Sequence, residues 1–365
     1  MANLATLLAV QPNGVWENII FAFNGAFGNY AIAIILLTIC IKLLMLPIDY
    51  FNRRSSSKMT EVQAKLAPKM AEIQKRYPDK AVQNQKMQEL YQKEGFNPMG
   101  SCLTMILVMA ISMGVFFTLF VSLNSVAAFK ITNQYEQLQT AYIQEYVMET
   151  ENKTEDEFVS LNLTQEQISN YIITISTSEL SYIDGENAGK KYIDVANDSV
   201  KEKYNQVKES FLWIKNVWIA DSPTSNAIPD FNTYAALAKL NLEGEELEKA
   251  KQEYVAVMSN LEASEGVNGY FLLAILTGVT AFLYQYLLTK KKKQKENFYT
   301  QNAQNPQAPG QGKAMLFILP IIMVVFTLSN NSIFSLYIIA SQLVGMATAP
   351  LINKIINKTN KKTQK

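Results

Sequence analysis

The longest stretches of this chain without a charged residue decide what it can fold into. Three runs contain no Asp, Glu, Lys or Arg and comprise 35, 24 and 40 residues: 95–129, 266–289 and 314–353. A fourth run, 30–47, contains a single charge, Lys42. Soluble domains rarely sustain such runs, whereas about 20 consecutive apolar residues are what a helix needs to cross a membrane. The chain is therefore predicted to be a membrane protein rather than a set of soluble domains.

The run 314–353 is too long for one crossing, because a helix rises about 1.5 Å per residue and the hydrocarbon core is about 30 Å thick. A polar cluster at 329–332 divides this run into two spans. The pattern predicts an all-α polytopic membrane protein with five transmembrane helices. The expected spans are 30–51, 101–123 (within the segment 99–123), 267–289, 314–328 and 333–352 (both within 314–352).

Basic residues are distributed unevenly between the loops that join these spans. Residues 52–98 carry ten Lys and Arg, 290–313 carry six and 353–365 carry five, whereas 124–266 carries 11 lysines against 24 acidic residues. By the positive-inside rule, the three basic segments are cytoplasmic and 124–266 is an enlarged acidic extracellular insertion. The expected location is the cell (plasma) membrane, with the N-terminus outside and the C-terminus in the cytoplasm. Apolar residues at helical spacing suggest an interfacial helix in the outside segment 1–29, with a simple lead-in to the first span as the alternative.

The first basic segment, 52–98, is predicted to form a cytoplasmic helical hairpin. Apolar residues at helical spacing run from Met59 to Ile73, Tyr77-Pro78-Asp79 interrupts them, and a second stripe follows at 87–91. A basic hairpin could contact acidic lipid head groups, ribosomal RNA or a protein partner. A solvated loop that merely obeys the positive-inside rule is the open alternative.

Lys42 is the residue least expected in its surroundings. It lies 12 residues beyond Tyr30, which places it about 18 Å from the outer boundary, and a charge at such depth costs about 2.5–3.5 kcal/mol on insertion scales. Snorkelling is the ordinary explanation, but helical side chains lean towards the helix N-terminus, which here is the more distant face. Spans two to five contain no acidic residue that could neutralise the charge. We therefore expect Lys42 to face a water-filled cavity between the spans.

Uncharged polar residues inside the spans could line such a cavity. Each of them alone is better explained by an interhelical hydrogen bond or a packing point than by a groove, so only their number favours a hydrated groove. A positively charged hollow in the membrane would attract an acidic or polar segment of a client protein and shorten the hydrophobic barrier which that segment must cross. The polar residues are Thr38, Ser112, Thr277, Thr280, Gln285, Ser335, Ser341 and Gln342.

Several segments together resemble the YidC/Oxa/Alb membrane protein insertases. The strongest likeness lies in IAIILLTICIKLLMLPIDYFNRRSSSKMTEVQAKLAPKMAEIQKRY, which is followed by MQELYQKEGFNPMGSCLTMIL. Further support comes from FLWIKNVWIADSP, LTGVTAFLYQ and the spacing from Pro320 to Tyr337 ahead of IIASQL. The resemblance covers all five predicted spans, the hairpin and a short part of the outside segment.

This resemblance implies a five-helix core with a groove that is open to the cytoplasm and the lipid and closed towards the outside. Clients would be nascent small membrane proteins, inserted into the lipid bilayer without nucleotide hydrolysis, alone or beside the Sec translocon, and basic segments could meet the ribosome. The family's groove arginine corresponds to Lys42. The family's groove threonine corresponds to Thr38. Together with Lys42 and Thr38, the expected groove and client-contacting residues are Ser112, Tyr337 and Gln342. The residues expected to recruit clients on the hairpin are Arg53, Arg54, Lys58, Lys65, Lys69 and Arg76.

The chain departs from the family pattern in the second span, in the turn between the last two spans and in the outside segment. The usual prolines of the second span are replaced by Thr104 and Ala110, and the turn between the last spans reads SNNSI at 329–333. Insertions at roughly 127–209 and 223–266 enlarge the outside segment. They are expected to form an acidic extracellular cap, with disordered decoration as the alternative for part of it.

Other classes of protein find less support in the sequence. The chain has no histidine and two cysteines, so it contains no H-E-x-x-H motif and no Cys/His pair, and we expect no enzymatic activity, metal, cofactor or DNA partner. A solute transporter or channel with Lys42 in the permeation path is the main alternative, although internal repeats and ion-coupling acids are absent. A receptor or adhesion protein would leave the basic hairpin without a role.

Overall fold

A computed structural model describes residues 11–93, 98–296 without 184 and 186, and 311–363. Over these residues the chain is helical, and the only β-pairing described consists of isolated bridges. The basic loop expected at 290–313 lies mostly outside the described residues. The helices are α1 Val15–Phe27, α2 Tyr30–Leu44, α3 Leu46–Arg76, α4 Lys80–Lys93, α5 Pro98–Thr150, α6 Glu155–Ser160, α7 Gln165–Thr177, α8 Tyr192–Val207, α9 Phe231–Ala238, α10 Gly244–Glu265, α11 Leu272–Glu296, α12 Gln311–Leu328 and α13 Ser332–Thr363.

The chain divides into two compact units. The acidic unit comprises Met1–Ala33, Val121–Leu273 and Thr327–Phe334, and the basic unit comprises Ile34–Phe120, Ala274–Phe326 and Ser335–Lys365. The acidic unit contains 25 acidic and 11 basic residues, and the basic unit contains the remaining seven acidic and 22 basic residues. The two units therefore carry net charges of opposite sign, −14 and +15, which sum to the net charge of +1 for the whole chain.

A tight corner separates α1 from α2. α1 ends at Gly28, whose φ of 69° is left-handed and whose N–H donates to the Asn24 carbonyl at 2.7 Å. Asn29 Oδ1 then accepts from Ala31 N at 3.0 Å and from Ile32 N at 3.2 Å, which caps the start of α2. The two helices are bent by 118° at this corner.

The segment predicted as an acidic insertion is folded rather than extended. α7, α8 and α10 pack together, and their buried side chains include Ile172, Val200 and Val257. α6 and α7 each begin with a capping box, at Thr154 and Thr164, in which the threonine hydroxyl and a side chain three residues later satisfy backbone N–H groups. Burial of each large aliphatic side chain contributes about 1.5–3 kcal/mol, so this segment has a core of its own.

Two described helices are long and apolar enough to cross a membrane, namely Ile106–Thr150 and Ser332–Thr359. The bent pair α1 and α2 adds a third candidate if both count as one span. The apolar helices Leu272–Leu288 and Leu316–Leu328 are shorter. An all-helical protein with two or three candidate membrane spans is therefore what the described residues show.

The helices do not begin and end where the charge-free runs do. α2 ends at Leu44 and α3 begins at Leu46, so no single helix covers 30–51, because Pro47 has no N–H to donate to the Leu43 carbonyl. α5 continues to Thr150, well beyond the predicted end of the second span at residue 123. Charged residues do not stop a helix, so the charge-free run marks an apolar segment of α5 and not its end.

Candidate functional site

The first predicted site residue, Lys42, lies in the last turn of α2. Met45 separates α2 from α3, and its N–H donates to the Ile41 carbonyl at 3.0 Å. The carboxyl end of a helix carries partial negative charge, because its last carbonyl groups lack intrahelical donors. The field of this helix end therefore favours a cation at position 42.

Side chains provide little further compensation for this cation. Lys42 is half-buried, and among the described residues it forms no hydrogen bond and no ion pair within 4.0 Å. Asp49 on α3 is the carboxylate whose field reaches it. A half-buried ammonium group with three unused donors is ready to bind an anionic or carbonyl oxygen from another molecule.

Thr38 lies one turn before Lys42 on the same helix. Its side chain is 1 % exposed, and its hydroxyl donates to the Ile34 carbonyl at 2.6 Å. Because this bond uses the only hydroxyl proton, Thr38 can offer another molecule a lone pair but not a donor. The structure therefore makes Thr38 part of the buried wall beside Lys42 rather than a free polar contact.

Gln342 belongs to a polar contact between α11 and α13. The Thr280 hydroxyl is within hydrogen-bond distance of two acceptors, Gln342 Oε1 and the Leu276 carbonyl (2.8 Å), which share its single proton. The neighbouring Thr277 is fully buried, and its hydroxyl has no hydrogen-bond partner within the described part of the chain. Polar groups therefore do lie between these two apolar helices.

Tyr337 belongs to an aromatic contact instead. Its ring lies 6.2 Å from that of Phe116, which in turn stacks on Phe120 at 6.4 Å. Ser112 is half-buried one turn before Phe116 on α5. No hydrogen bond or ion pair among the described residues joins Lys42, Thr38 or Ser112 to any other predicted groove residue. The structure places all five in the basic unit.

Two glycines allow close approach of the helices in this unit. A Cβ atom at Gly278 would lie 2.6 Å from Val324 Cγ2, and one at Gly345 would lie 3.0 Å from the Tyr284 ring. The Tyr284 hydroxyl also accepts from Arg53 Nη2 at 3.4 Å. Small residues at helix contacts are typical of packing inside membranes, where no hydrophobic effect drives helices together.

The predicted hairpin residues lie on α3, which packs against α4. Leu66 is 2 % exposed, and the Tyr91 hydroxyl lies 3.7 Å from Met70 Sδ, so apolar residues of the two predicted stripes meet. α3 ends at Arg76 and α4 begins at Lys80, on either side of the predicted break. Of the six basic residues assigned to recruitment, four are exposed and two, Arg53 and Arg54, are half-buried.

Sequence reasoning missed an anchor for α11 in the acidic unit. Asp221 is 5 % exposed, and its two carboxylate oxygens accept from Tyr270 N at 2.8 Å and from Leu273 N at 2.6 Å. A carboxylate at a helix N-terminus satisfies donors that have no intrahelical acceptor. In the sequence, the segment NVWIADSP supports only the family resemblance. The feature that could have indicated a buried cap is its single aspartate among apolar residues.

A second anchor lies beside it. Asn268, which is fully buried, accepts from Asn216 N at 2.8 Å and donates to the Asn216 carbonyl at 2.9 Å and the Ala220 carbonyl at 3.0 Å. Ser332, at the start of α13, donates from its hydroxyl to the Ile219 carbonyl at 2.7 Å. Residues 216–221 therefore hold the first turn of α11 and the turn before α13 by buried hydrogen bonds.

The chain is similar to one family model and to several known proteins. The family model described as 60Kd inner membrane protein matches residues 22–361. A membrane protein insertase YidC of Bradyrhizobium diazoefficiens is 36% identical over 103 residues, and those of Geobacter sulfurreducens and Parabacteroides distasonis are 39% and 42% identical over 102 and 101 residues.

These pairwise matches are partial on both sides. They cover 27–28% of this chain and 15–18% of the length of those relatives. The family model, by contrast, extends over both units, from residue 22 within α1 to residue 361 within α13. On that match the chain belongs to the YidC/Oxa/Alb family of membrane proteins.

Proposed function

We propose that the chain is a membrane protein insertase and chaperone that inserts and helps fold nascent membrane proteins without nucleotide hydrolysis. The observation that carries this proposal is the half-buried Lys42, which has no ion pair among the described residues and lies in an apolar helix. Relatives that match part of the chain bear the name membrane protein insertase. Lys42 would attract a polar or acidic segment of a client into the membrane region.

The energetic role of Lys42 follows from what a client must do. A carboxylate that enters the membrane loses hydration, which costs about 2.5–3.5 kcal/mol at the centre of a span. A cation that is already present and incompletely neutralised offsets part of that cost through a charge-assisted contact worth about 1.5–3 kcal/mol. Thr38, Ser112, Tyr337 and Gln342 would line the path, with the buried Thr277 hydroxyl as an additional polar group.

We propose five spans, formed by α2 with the start of α3, the first half of α5, α11, α12 and α13. The segments are 1–29 outside, 30–51, 52–98 inside, 99–123, 124–266 outside, 267–289, 290–313 inside, 314–352 and 353–365 inside. The charge of each segment supports this order, because an odd number of spans puts the N-terminus outside and the lysine-rich tail in the cytoplasm. α1, bent by 118° from α2, would lie on the outer surface of the membrane.

The hairpin of α3 and α4 would recruit clients on the cytoplasmic side. Four of its assigned basic residues, Lys58, Lys65, Lys69 and Arg76, are exposed on α3, so they can meet acidic lipid head groups, ribosomal RNA or a nascent chain. The ribosome and the Sec translocon are the proposed larger partners. The acidic unit would remain outside as a folded extracellular domain that also anchors α11 through Asp221.

The proposal is tested by reconstitution of the purified chain into liposomes without ATP, with a small single-span client that has an acidic extracellular segment. Lys42→Ala is expected to reduce insertion at least tenfold, because the loss of a charge-assisted contact of about 1.5–3 kcal/mol corresponds to a factor of about 10–150. Lys42→Arg should retain most of the insertion, because it keeps the charge. Lys201→Ala, which removes an exposed lysine of α8, is the matched control.

Two results would contradict this mechanism. Wild-type insertion by Lys42→Ala with every client tested would show that the charge has no role in the groove. Flux of a solute through the liposome membrane, with no insertion of any client, would instead favour a transporter or channel with Lys42 in the permeation path.

A further inference from the structure

A short turn in the acidic unit contains a leucine, Leu212, that has a strained backbone conformation and a solvent-exposed apolar side chain. Phe211 and Ile214 exchange both backbone hydrogen bonds at 2.9 Å, which leaves Leu212 and Trp213 at the tip of a two-residue turn. Leu212 has a φ of 54°, a left-handed value for which glycine is the usual residue at this place in a turn. Its side chain is nevertheless 75% exposed.

Water is a poor environment for this side chain. A leucine in the left-handed region is strained, and such strain persists where the surrounding structure fixes it and where it often serves a function. Burial inside the protein does not explain the choice of leucine, because the side chain points away from the described core. A glycine or asparagine would fit the backbone better and would expose no apolar surface.

The position of the turn indicates what covers Leu212. Asn29 Nδ2 donates to the Ser210 carbonyl at 3.2 Å, so the turn is fastened to the residue that caps α2. The ring of Tyr30, the first residue of α2, lies 4.9 Å from that of Trp218 in the same segment of chain. Aromatic residues concentrate at the level of lipid head groups, and α2 is where the first proposed span begins.

The neighbouring α1 presents a second apolar surface in this unit. It packs inward through Ile20, which is fully buried, and through an edge-to-face contact of Phe21 with Phe129 at 5.9 Å. Val15 is 77% exposed and Phe27 is 50% exposed. An exposed apolar helix that ends beside the same Asn29 agrees with a lipid surface at this level.

We propose that Leu212 inserts into the outer leaflet of the lipid bilayer and anchors the acidic unit at the start of the first span. This inference rests on the outside placement given under the proposed function. The occupant is lipid rather than a client protein, because the leucine protrudes beside a helix end that itself enters the membrane.

The experiment measures depth in liposomes that contain no client. In a background with Cys40→Ser and Cys102→Ser, a spin label is attached at Leu212→Cys, or at Val159→Cys as the control, an apolar residue of the same unit that is 78% exposed. The label at position 212 should be reached more readily by oxygen than by a water-soluble nickel chelate, by at least threefold relative to the label at 159. Equal accessibility of the two labels would overturn the proposal.

A second measurement covers the case in which the cysteine variant does not fold. Leu212→Trp keeps an apolar side chain at the turn, and its added fluorescence should be quenched by lipids brominated in their acyl chains, whereas unquenched emission would overturn the proposal. Leu212→Gly should fold with an unchanged or higher melting temperature, because glycine relieves the left-handed strain. Neither depth measurement depends on insertion, so lipid contact without insertion would contradict only the proposed function.

Discussion

Removal of the Asp221 carboxylate should loosen the start of α11. This carboxylate is 5 % exposed and accepts two backbone N–H groups, from Tyr270 at 2.8 Å and Leu273 at 2.6 Å. Each charge-assisted bond contributes about 1.5–3 kcal/mol, and the favourable field of the helix N-terminus adds about 0.3–1 kcal/mol. Asp221→Ala leaves the buried Leu273 N–H and the less buried Tyr270 N–H without their acceptor, so we expect a loss of about 3–5 kcal/mol in the free energy of unfolding.

Asp221→Asn retains one acceptor oxygen but no charge, and it should cost about half as much. The matched control is Asp230→Ala, which removes an exposed N-cap carboxylate that accepts from Thr233 N at 2.7 Å and should cost about 1 kcal/mol. Thermal unfolding of the full chain in detergent gives the stability order. Hydrogen exchange of the amides at 270–273 locates the loss.

Gly269 provides a check on the same contact. A Cβ atom there would lie 1.8 Å from Asp221 Oδ1, so Gly269→Ala must displace the carboxylate from its donors. If the capping account holds, Gly269→Ala and Asp221→Ala together should cost much less than the sum of the two single changes. Additive losses, or a melting temperature of Asp221→Ala equal to that of the wild type, would refute the reasoning.

Two further predictions concern the packing and titration of buried groups. Burial raises the pKa of Glu136 to about 7, and the side chain lines a cavity of about 50 Å³ together with Glu253 and Tyr234. The folded state therefore favours the protonated carboxyl group. The stability that this protonated group contributes is lost as the pH rises from about 4.5 through 7. Glu136→Gln should therefore stabilise the acidic unit by about 1–2 kcal/mol at pH 8, after allowance for solvent screening, and by little at pH 4. Unfolding at both pH values checks this, and an equal effect at both would contradict it. Gly278→Val should lower the melting temperature of the full chain, because a Cβ atom at this position would lie 2.6 Å from Val324 Cγ2. The control is Gly25→Ala, where no atom lies within 4 Å of the added Cβ. Equal melting temperatures of the two variants would argue against close packing of α11 on α12.

Charge and hydropathy predicted the helical class and the membrane character of the chain because both are properties of long segments. The polar cluster at 329–332 was predicted as a turn, and α12 ends at Leu328 while α13 begins at Ser332. The family resemblance is confirmed by the family model. The five-span count, the topology and the roles of the site residues stay predictions.

The details that escaped prediction depend on contacts between residues far apart in sequence. The residues around Asp221 in the sequence do not indicate that its carboxylate accepts hydrogen bonds from Tyr270 and Leu273, which lie 49 and 52 positions further along the chain. The sequence also left the insertion open between a folded cap and disordered decoration, whereas burial of Tyr142 and Tyr204 shows a packed interior. The Thr38 hydroxyl donates to the Ile34 carbonyl, a contact that depends on the side-chain rotamer and that the sequence does not specify.

The ending of α2 immediately after Lys42 has a consequence for how this position can change during evolution. Part of the counter-charge comes from backbone carbonyl groups near Pro47 rather than from a carboxylate side chain, and no substitution of an acidic residue elsewhere removes them. Such carbonyls supply only about half a unit charge, so they would favour a lysine or an arginine alike and would leave either one with a net attraction for anions. The cation at position 42 is therefore favoured by backbone groups, and this part of its environment does not depend on the side chains around it.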